Sequence, residues 1–290
     1  MSISPRPYPL GTREDIDPAP PPAILQAFGV DGDPILLGGG EGRSFRVGDA
    51  VFKPARDPIE AEWSLQVMAH LASMQTPNFR VPTPLQASNN QCVFEGWTAS
   101  EFVSGVDKIE GRWEELLDVS RALHEALRDV PKPEFMADRS HIWAKADRVA
   151  WGEASIEISS PLRQVFKDLM ALRQDVDAKS QVIHGDLTGN VLFEETLPPV
   201  VIDFSPYWRP AEFADAIIVA DGLLDHNQSR ELVRLNGTSK FCLQMVVRAL
   251  IFRLVSESEL SVVRGIMSEA GVRRFDKALG IVQAELAMAE

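Results

Sequence analysis

Two short apolar runs, each ending on a polar cluster, constrain this chain more than any other feature. The first lies in Val182-Ile183-His184-Gly185-Asp186-Leu187-Thr188-Gly189-Asn190-Val191-Leu192-Phe193, and the second in Val200-Val201-Ile202-Asp203-Phe204. Runs of β-branched residues bounded by Gly, Asp and Asn read as buried strands. A carboxylate or amide at a strand end is held at a fixed position facing a cleft. Asp186 and Asn190 fall on one loop, and Asp203 opens the next. Together they form an oxygen-rich set suited to Mg²⁺. Taken singly, each is also what an ordinary strand-capping turn would use; the full string with its second strand favours a site.

The surrounding pattern sorts into three parts. Residues 1–22 hold seven prolines and form an extended tail, because proline removes donors and fixes φ. Residues 23–103 alternate glycine turns with short apolar runs around a helix at 58–73, preceded by a short helix at 23–28. Residues 104–290 read as mostly helical, with helices over 113–130, 142–151 and 160–177 and from 211 onward. The β segment described above interrupts them. The predicted class is α+β, with a small β-rich N-terminal lobe, a hinge near 100–105 and a larger helical lobe.

Composition narrows the partners. The net charge is −13, which makes the chain a poor general binder of nucleic acid or anionic membrane. Cys92 and Cys242 are the only cysteines and form no metal-binding motif, so they read as reduced core residues of a cytoplasmic protein. The first ten residues carry prolines at 5, 7 and 9 and do not read as a signal peptide, and no run is long and apolar enough for a membrane helix. Oligomeric state is not written in the sequence.

The H-G-D string and the strand ending on Asp203 resemble the catalytic half of the protein-kinase-like fold, in its aminoglycoside phosphotransferase and choline kinase branch. The resemblance implies a bilobal fold and phosphoryl transfer that uses ATP and Mg²⁺. It makes Asp186 the residue that orients and deprotonates a substrate hydroxyl, with Asn190 and Asp203 holding the metal on the nucleotide phosphates. His184 and Gly185 become structural parts of the loop. Asp215, twelve residues after Asp203, falls where the family places a carboxylate that braces the catalytic loop. It would equally serve as a helix-start carboxylate. The chain departs from the family in one respect: three residues, not four, separate Asp186 from Asn190. This is an atypical subgroup with a shortened loop.

The N-terminal half resembles the family more loosely. Gly40-Glu41-Gly42-Arg43-Ser44-Phe45-Arg46-Val47 is similar to a phosphate-covering glycine loop, with Phe45 at the third glycine. Gly40, Gly42 and Ser44 would approach the nucleotide through backbone N–H groups. The strand Ala50-Val51-Phe52-Lys53 follows, and the resemblance puts Lys53 on the α- and β-phosphates. A carboxylate on the next helix would hold that lysine. Glu60 and Glu62 both qualify, and counting 100° per residue sets Glu60 beside Trp63 and Val67 and Glu62 beside Gln66. Glu101, Phe102 and Val103 fall in the hinge, where the family binds adenine through backbone groups.

The function implied is transfer of phosphate to the hydroxyl of a small molecule. The alternative is a nucleotide-binding pseudokinase acting as a sensor or scaffold, which the shortened loop favours. Residues 101–290 hold 22 basic against 31 acidic residues, a net of −9, which suits a neutral or cationic acceptor.

Overall fold

The computed structural model describes residues 18–38, 43–158, 161–264 and 269–289. In chain order these form α1 (Pro22–Ala27), β1 (Ile35–Leu36), β2 (Phe45–Val47), β3 (Ala50–Pro54), α2 (Pro58–Met74), β4 (Val93–Phe94), β5 (Trp97–Glu101), α3 (Trp113–Ala126) and a 3-10 turn (Glu134–Ala137). There follow α4 (Ile142–Ala150), α5 (Arg163–Leu172), β6 (Gln181–His184), β7 (Val191–Leu192), β8 (Val200–Val201), β9 (Pro206–Arg209), α6 (Ala211–Asp225), α7 (Arg230–Asn236), α8 (Lys240–Arg264) and α9 (Glu269–Met288). The chain divides into two compact units, Met1–Lys108 with Gly189–Ser205, and Ile109–Thr188 with Pro206–Glu290.

The first unit is built on an antiparallel sheet of order β1-β2-β3-β5-β4. Gly48, at φ +55, makes the tight turn between β2 and β3 that its sequence predicts. Phe45, Val47, Ala50, Phe52, Trp97 and Ala99 alternate onto one face and bury against Ile24, Leu25 and Phe28. The Phe28 and Phe52 rings meet edge to face at 5.6 Å. Lys53 follows Phe52 in the strand, so the period of two turns it away from this core. Asp57 caps α2 by accepting the Ile59 and Glu60 N–H groups at 3.0 and 3.1 Å, with Pro58 at the first helical position. The β7–β8 hairpin joins this unit: Val106 and Phe193 exchange backbone hydrogen bonds of 3.1 and 2.8 Å, and Arg80 bridges to Val200.

In the second unit α6 is buried almost all round from Phe213 to Leu224, and α8 is buried along Leu243 to Val255. Such helices form the centre of a helical layer. The other helices and the β6–β9 pair pack about them. Two expectations are corrected. The helix expected over 160–177 spans only Arg163–Leu172. Beyond it, side chains of α8 capture the backbone: Gln244 accepts the Gln174 N–H at 2.7 Å and Arg248 donates to the Gln174 carbonyl at 2.5 Å. Cys92 is buried as expected, but Cys242 is only half-buried. Strand β9 was not predicted. Its register against β6, with Val182 opposite Trp208 and His184 opposite Pro206, depends on partners 26 and 22 residues away.

Gly105 fixes the approach of the hinge segment to β7. Its φ is +143, and a Cβ there would lie 2.8 Å from the Leu192 Cβ and 3.3 Å from the Phe193 carbonyl oxygen. Gly105→Ala should therefore destabilise the protein by about 1–3 kcal/mol through backbone strain and overpacking. Urea unfolding measures this; an unchanged midpoint would contradict the close approach.

Candidate active site

In the first unit, Lys53 at the end of β3 forms an ion pair with Asp203, 150 residues later, through the Asp203 Oδ1 atom. Both side chains are about one-third exposed, so the pair is in contact with water. Asp203 has φ +53, an uncommon conformation for a non-glycine residue and one that concentrates at functional sites. The preceding Ile202 N–H donates to the Asn190 carbonyl at 2.9 Å. That bond extends the β7–β8 register, in which Val191 faces Val201. Asn190 and Asp203 are thereby brought to the same end of one hairpin, although the loop before Asn190 is a residue short. Gly189, at φ +77, supplies the turn.

The other expected residues of this unit are placed less uniformly. Ser44 is buried and its carbonyl accepts the Leu37 N–H at 2.8 Å. Gly40 and Gly42 lie outside the described residues. Glu62 turns to β4, accepting the Val93 N–H at 2.9 Å and the Gln66 amide at 3.1 Å. It is therefore not the partner of Lys53. Glu60 sits in the first turn of α2, half-buried. In the hinge, the Glu101 N–H donates to Thr83 and the Phe102 N–H to Asp49, at 2.9 and 2.7 Å. The Phe102 ring lies under the Arg46 guanidinium at 3.7 Å, so it is neither core nor an open platform. Val103 is half-buried next to it.

In the second unit, Asp186 follows β6. Its N–H donates to His184 Nδ1 at 3.1 Å, and its Oδ1 accepts from Arg253 Nη2 at 2.9 Å. His184 is fully buried and its own N–H donates to His124 Nε2 at 3.0 Å. Because Nε2 accepts, the His124 proton sits on Nδ1, which contacts Ser120 Oγ at 3.2 Å. Ser120 in turn donates to Asp215 Oδ1 at 2.5 Å, and Arg121 Nε to Asp215 Oδ2 at 3.3 Å. Asp215 therefore reaches the loop through a relay across α3 and not by direct bonding. Burial pushes its carboxyl up to about 6, against the pull of Ser120 and Arg121. Gly185 is needed for packing: a Cβ there would collide with the ring of Tyr207 on β9.

Four of these residues escaped sequence reasoning as functional. Ser120 and His124 fall among Leu116, Leu117, Leu123 and Leu127 at helical spacing, which reads as an apolar stripe. Arg253 and Asp221, which bind each other, lie on helices with no motif. A single polar residue recurring in an otherwise apolar helix was the available signal. A cavity of 750 Å³ in this unit is bordered by Arg121, His124, Asp215, Asn236, Phe241 and Cys242, and excludes Asp186.

Among the described residues no group of three or more His, Cys, Asp or Glu could hold a metal. Mg²⁺ does not require one, since it is held by one or two protein oxygens together with phosphates and water. The Lys53 ammonium on Asp203 shows that this carboxylate accepts a cation, and Asn190 lies beside it along the hairpin. The donor set fits.

The chain belongs to the phosphotransferase enzyme family, whose model matches residues 34–220. No curated protein matches it. Among solved structures, an aminoglycoside phosphotransferase from Alicyclobacillus acidocaldarius is 16% identical with a TM-score of 0.59, over 97% of this chain and 98% of that one. A choline/ethanolamine kinase family protein from Mesorhizobium loti is 15% identical with a TM-score of 0.59, over 92% and 95%. A spectinomycin phosphotransferase in complex with ADP and spectinomycin is 15% identical with a TM-score of 0.53, over 91% and 96%. The fold is thus kinase-like, with a small antiparallel-sheet unit and a larger helical one.

The relay makes a test by pH. Burial, and then the nearby His184, hold His124 down to about 3, from an ordinary 6.5. A depressed pKa contributes stability that is present above pH 6.5 and lost as pH falls toward 3, because the unfolded chain binds a proton the folded chain refuses. His124→Gln keeps an acceptor near the Nε2 position and removes the titration. At pH 7.5 it should be less stable than wild type by about 1–3 kcal/mol. The gap should narrow by up to about 1.4 kcal/mol per pH unit below 6.5. Urea titrations at pH 7.5, 6 and 5 measure the gap; one that does not change with pH would mean the native ring is already protonated.

Proposed function

We propose that this chain is a phosphotransferase that uses ATP and Mg²⁺ to phosphorylate a hydroxyl of a small molecule. The observation that carries the reading is the Lys53–Asp203 ion pair, which joins two motif residues 150 positions apart at the end of a kinase-like sheet. The family and the ADP bound to the spectinomycin phosphotransferase support it. Lys53 binds the α- and β-phosphates, and Glu60 is the candidate to steady it, Glu62 being engaged elsewhere. Backbone groups of Gly40, Gly42 and Ser44 cover the phosphates. With the Glu101 and Phe102 N–H groups held by Thr83 and Asp49, the Glu101 carbonyl and the backbone of Val103 are the groups assigned to adenine.

Asp203 and Asn190 would hold Mg²⁺, which when bound neutralises phosphate charge. Asp186 orients the acceptor hydroxyl and takes its proton as the new O–P bond forms and the bond to the leaving phosphate oxygen breaks. His184 and Asp215 hold that loop in place. An amine-bearing or neutral alcohol is the acceptor class, in keeping with the net −9 over residues 101–290 and with the aminoglycoside and choline chemistry named for the neighbours. The shortened loop favours a second reading, nucleotide binding without transfer.

The variants separate these readings. Lys53→Ala should weaken Mg·ATP binding in calorimetry. Asp186→Asn should leave that affinity nearly unchanged and lower transfer by about 10²–10⁴-fold. Asp203→Asn should weaken both, since lost charge is felt before the reaction begins. Asn190→Ala should act as a milder Asp203 change. Wild-type protein that binds Mg·ATP but turns over no faster than Asp186→Asn, across amino sugars, aminoglycosides and amino alcohols, would establish the pseudokinase. No binding at millimolar Mg·ATP would overturn both.

A further inference from the structure

Arg253 lies near the middle of α8, beyond residues 34–220 that match the family. A guanidinium there is costly unless paired and hydrogen-bonded. Its pairing is unusually complete along one edge. Nε donates to Asp221 Oδ1 at 2.6 Å and Nη2 to Asp221 Oδ2 at 2.7 Å. This side-on fork uses the Nε hydrogen and the nearer of the two Nη2 hydrogens. The other Nη2 hydrogen is then fixed in direction by the planar group, and it falls on Asp186 Oδ1 at 2.9 Å.

Exposure is graded along the row. The side chain of Asp221 is 8% exposed, that of Arg253 15% and that of Asp186 45%. Asp221 is thus the anchor, Arg253 the rigid arm, and Asp186 the group presented to solvent. A structural ion pair within the helices would be complete with Asp221 alone. The second contact, to a half-exposed carboxylate at the end of β6, adds a side-chain hold to the one the Asp186 backbone N–H makes on His184 Nδ1.

We propose that Arg253 is a positioning residue for Asp186: it holds Oδ1 and so sets the direction in which the carboxylate meets the acceptor hydroxyl. The inference rests on the phosphotransferase reading and adds to it a residue on which transfer depends without touching nucleotide. Lysine cannot replace it, because one ammonium cannot reproduce the fork and the arm together.

The test removes the whole arm, so that no buried carboxylate is left unpaired: Arg253→Met combined with Asp221→Leu, beside Arg253→Lys alone. The double variant should melt close to wild type and bind Mg·ATP within about twofold, while kcat falls by about 10- to 100-fold. Arg253→Lys should fall between. In an Asp186→Asn background the same double change should lower kcat by less than about threefold, because a residue that acts through Asp186 has nothing left to position. Equal losses in both backgrounds, a matching loss of nucleotide affinity, or a folded variant with wild-type kcat would each overturn the proposal.

A second measurement is independent of turnover. In an unfolding cycle between the double variant and Asp186→Ala, the unfolding constants should depart from multiplicativity by about threefold or more. Coupling below about 1.5-fold overturns the proposal whatever the turnover. Wild-type protein that transfers phosphate to no acceptor and hydrolyses no ATP overturns the phosphotransferase reading instead, and the cycle then still decides whether Arg253 fixes Asp186.

Discussion

His124 is buried in α3, and each of its ring nitrogens meets a partner with one fixed demand. The His184 N–H can only donate, so Nε2 must accept; Ser120 must give its own proton to Asp215, so it takes one from Nδ1. Only one tautomer satisfies both, and only in the neutral state. The cost of charging this ring inside the protein thereby enforces a single geometry from α6, through α3, to the end of β6. His184 Nδ1 extends it to the amide of Asp186. Low local dielectric strengthens each link and makes any broken one expensive. The position of Asp186 thus depends on a proton that stays on one nitrogen.

The same economy of charge governs the arginines of the helical unit. Arg209 on β9 bonds Asp147 on α4 through both Nε and Nη2, and also reaches Glu153. Burial raises the Asp147 carboxyl while Arg209 draws it down, and bonding to Arg209 lowers that of Glu153. Asp221 and Arg253 repeat the theme, as do Glu285 with Arg234 and Glu257 with Arg274. Many of the carboxylates behind the acidic balance of residues 101–290 are therefore engaged inside the fold.

What could be read from the sequence were features encoded locally. The strand ends carrying Asp186, Asn190 and Asp203, the Gly48 turn, the Pro58 helix start and the orientation of Glu62 toward Gln66 all follow from residue type and spacing. What could not be read depended on partners distant in sequence. Strand β9 is extended because β6 and Arg139 engage it, the latter through the Pro206 carbonyl at 2.5 Å. The helix ending at Leu172 stops because Gln244 and Arg248 claim the following backbone. Arg253 stands out only as a charge in an apolar stretch of α8; which two carboxylates it touches is not written there. Gly185 reads as a loop glycine, yet it is required by an aromatic ring 22 residues later.

The two cysteines differ in a way that has a practical side. Cys92 is buried, and burial together with Glu62 raises its thiol, so the nucleophilic thiolate is suppressed. Cys242 is half-buried, accepts the Ser239 hydroxyl at 3.1 Å, and borders the cavity that His124 and Asp215 also line. In the native state a polar alkylating dye meets Cys242 first. A fluorophore attached there would border the same cavity as His124 and offer an optical report on the buried imidazole without a substitution in the chain.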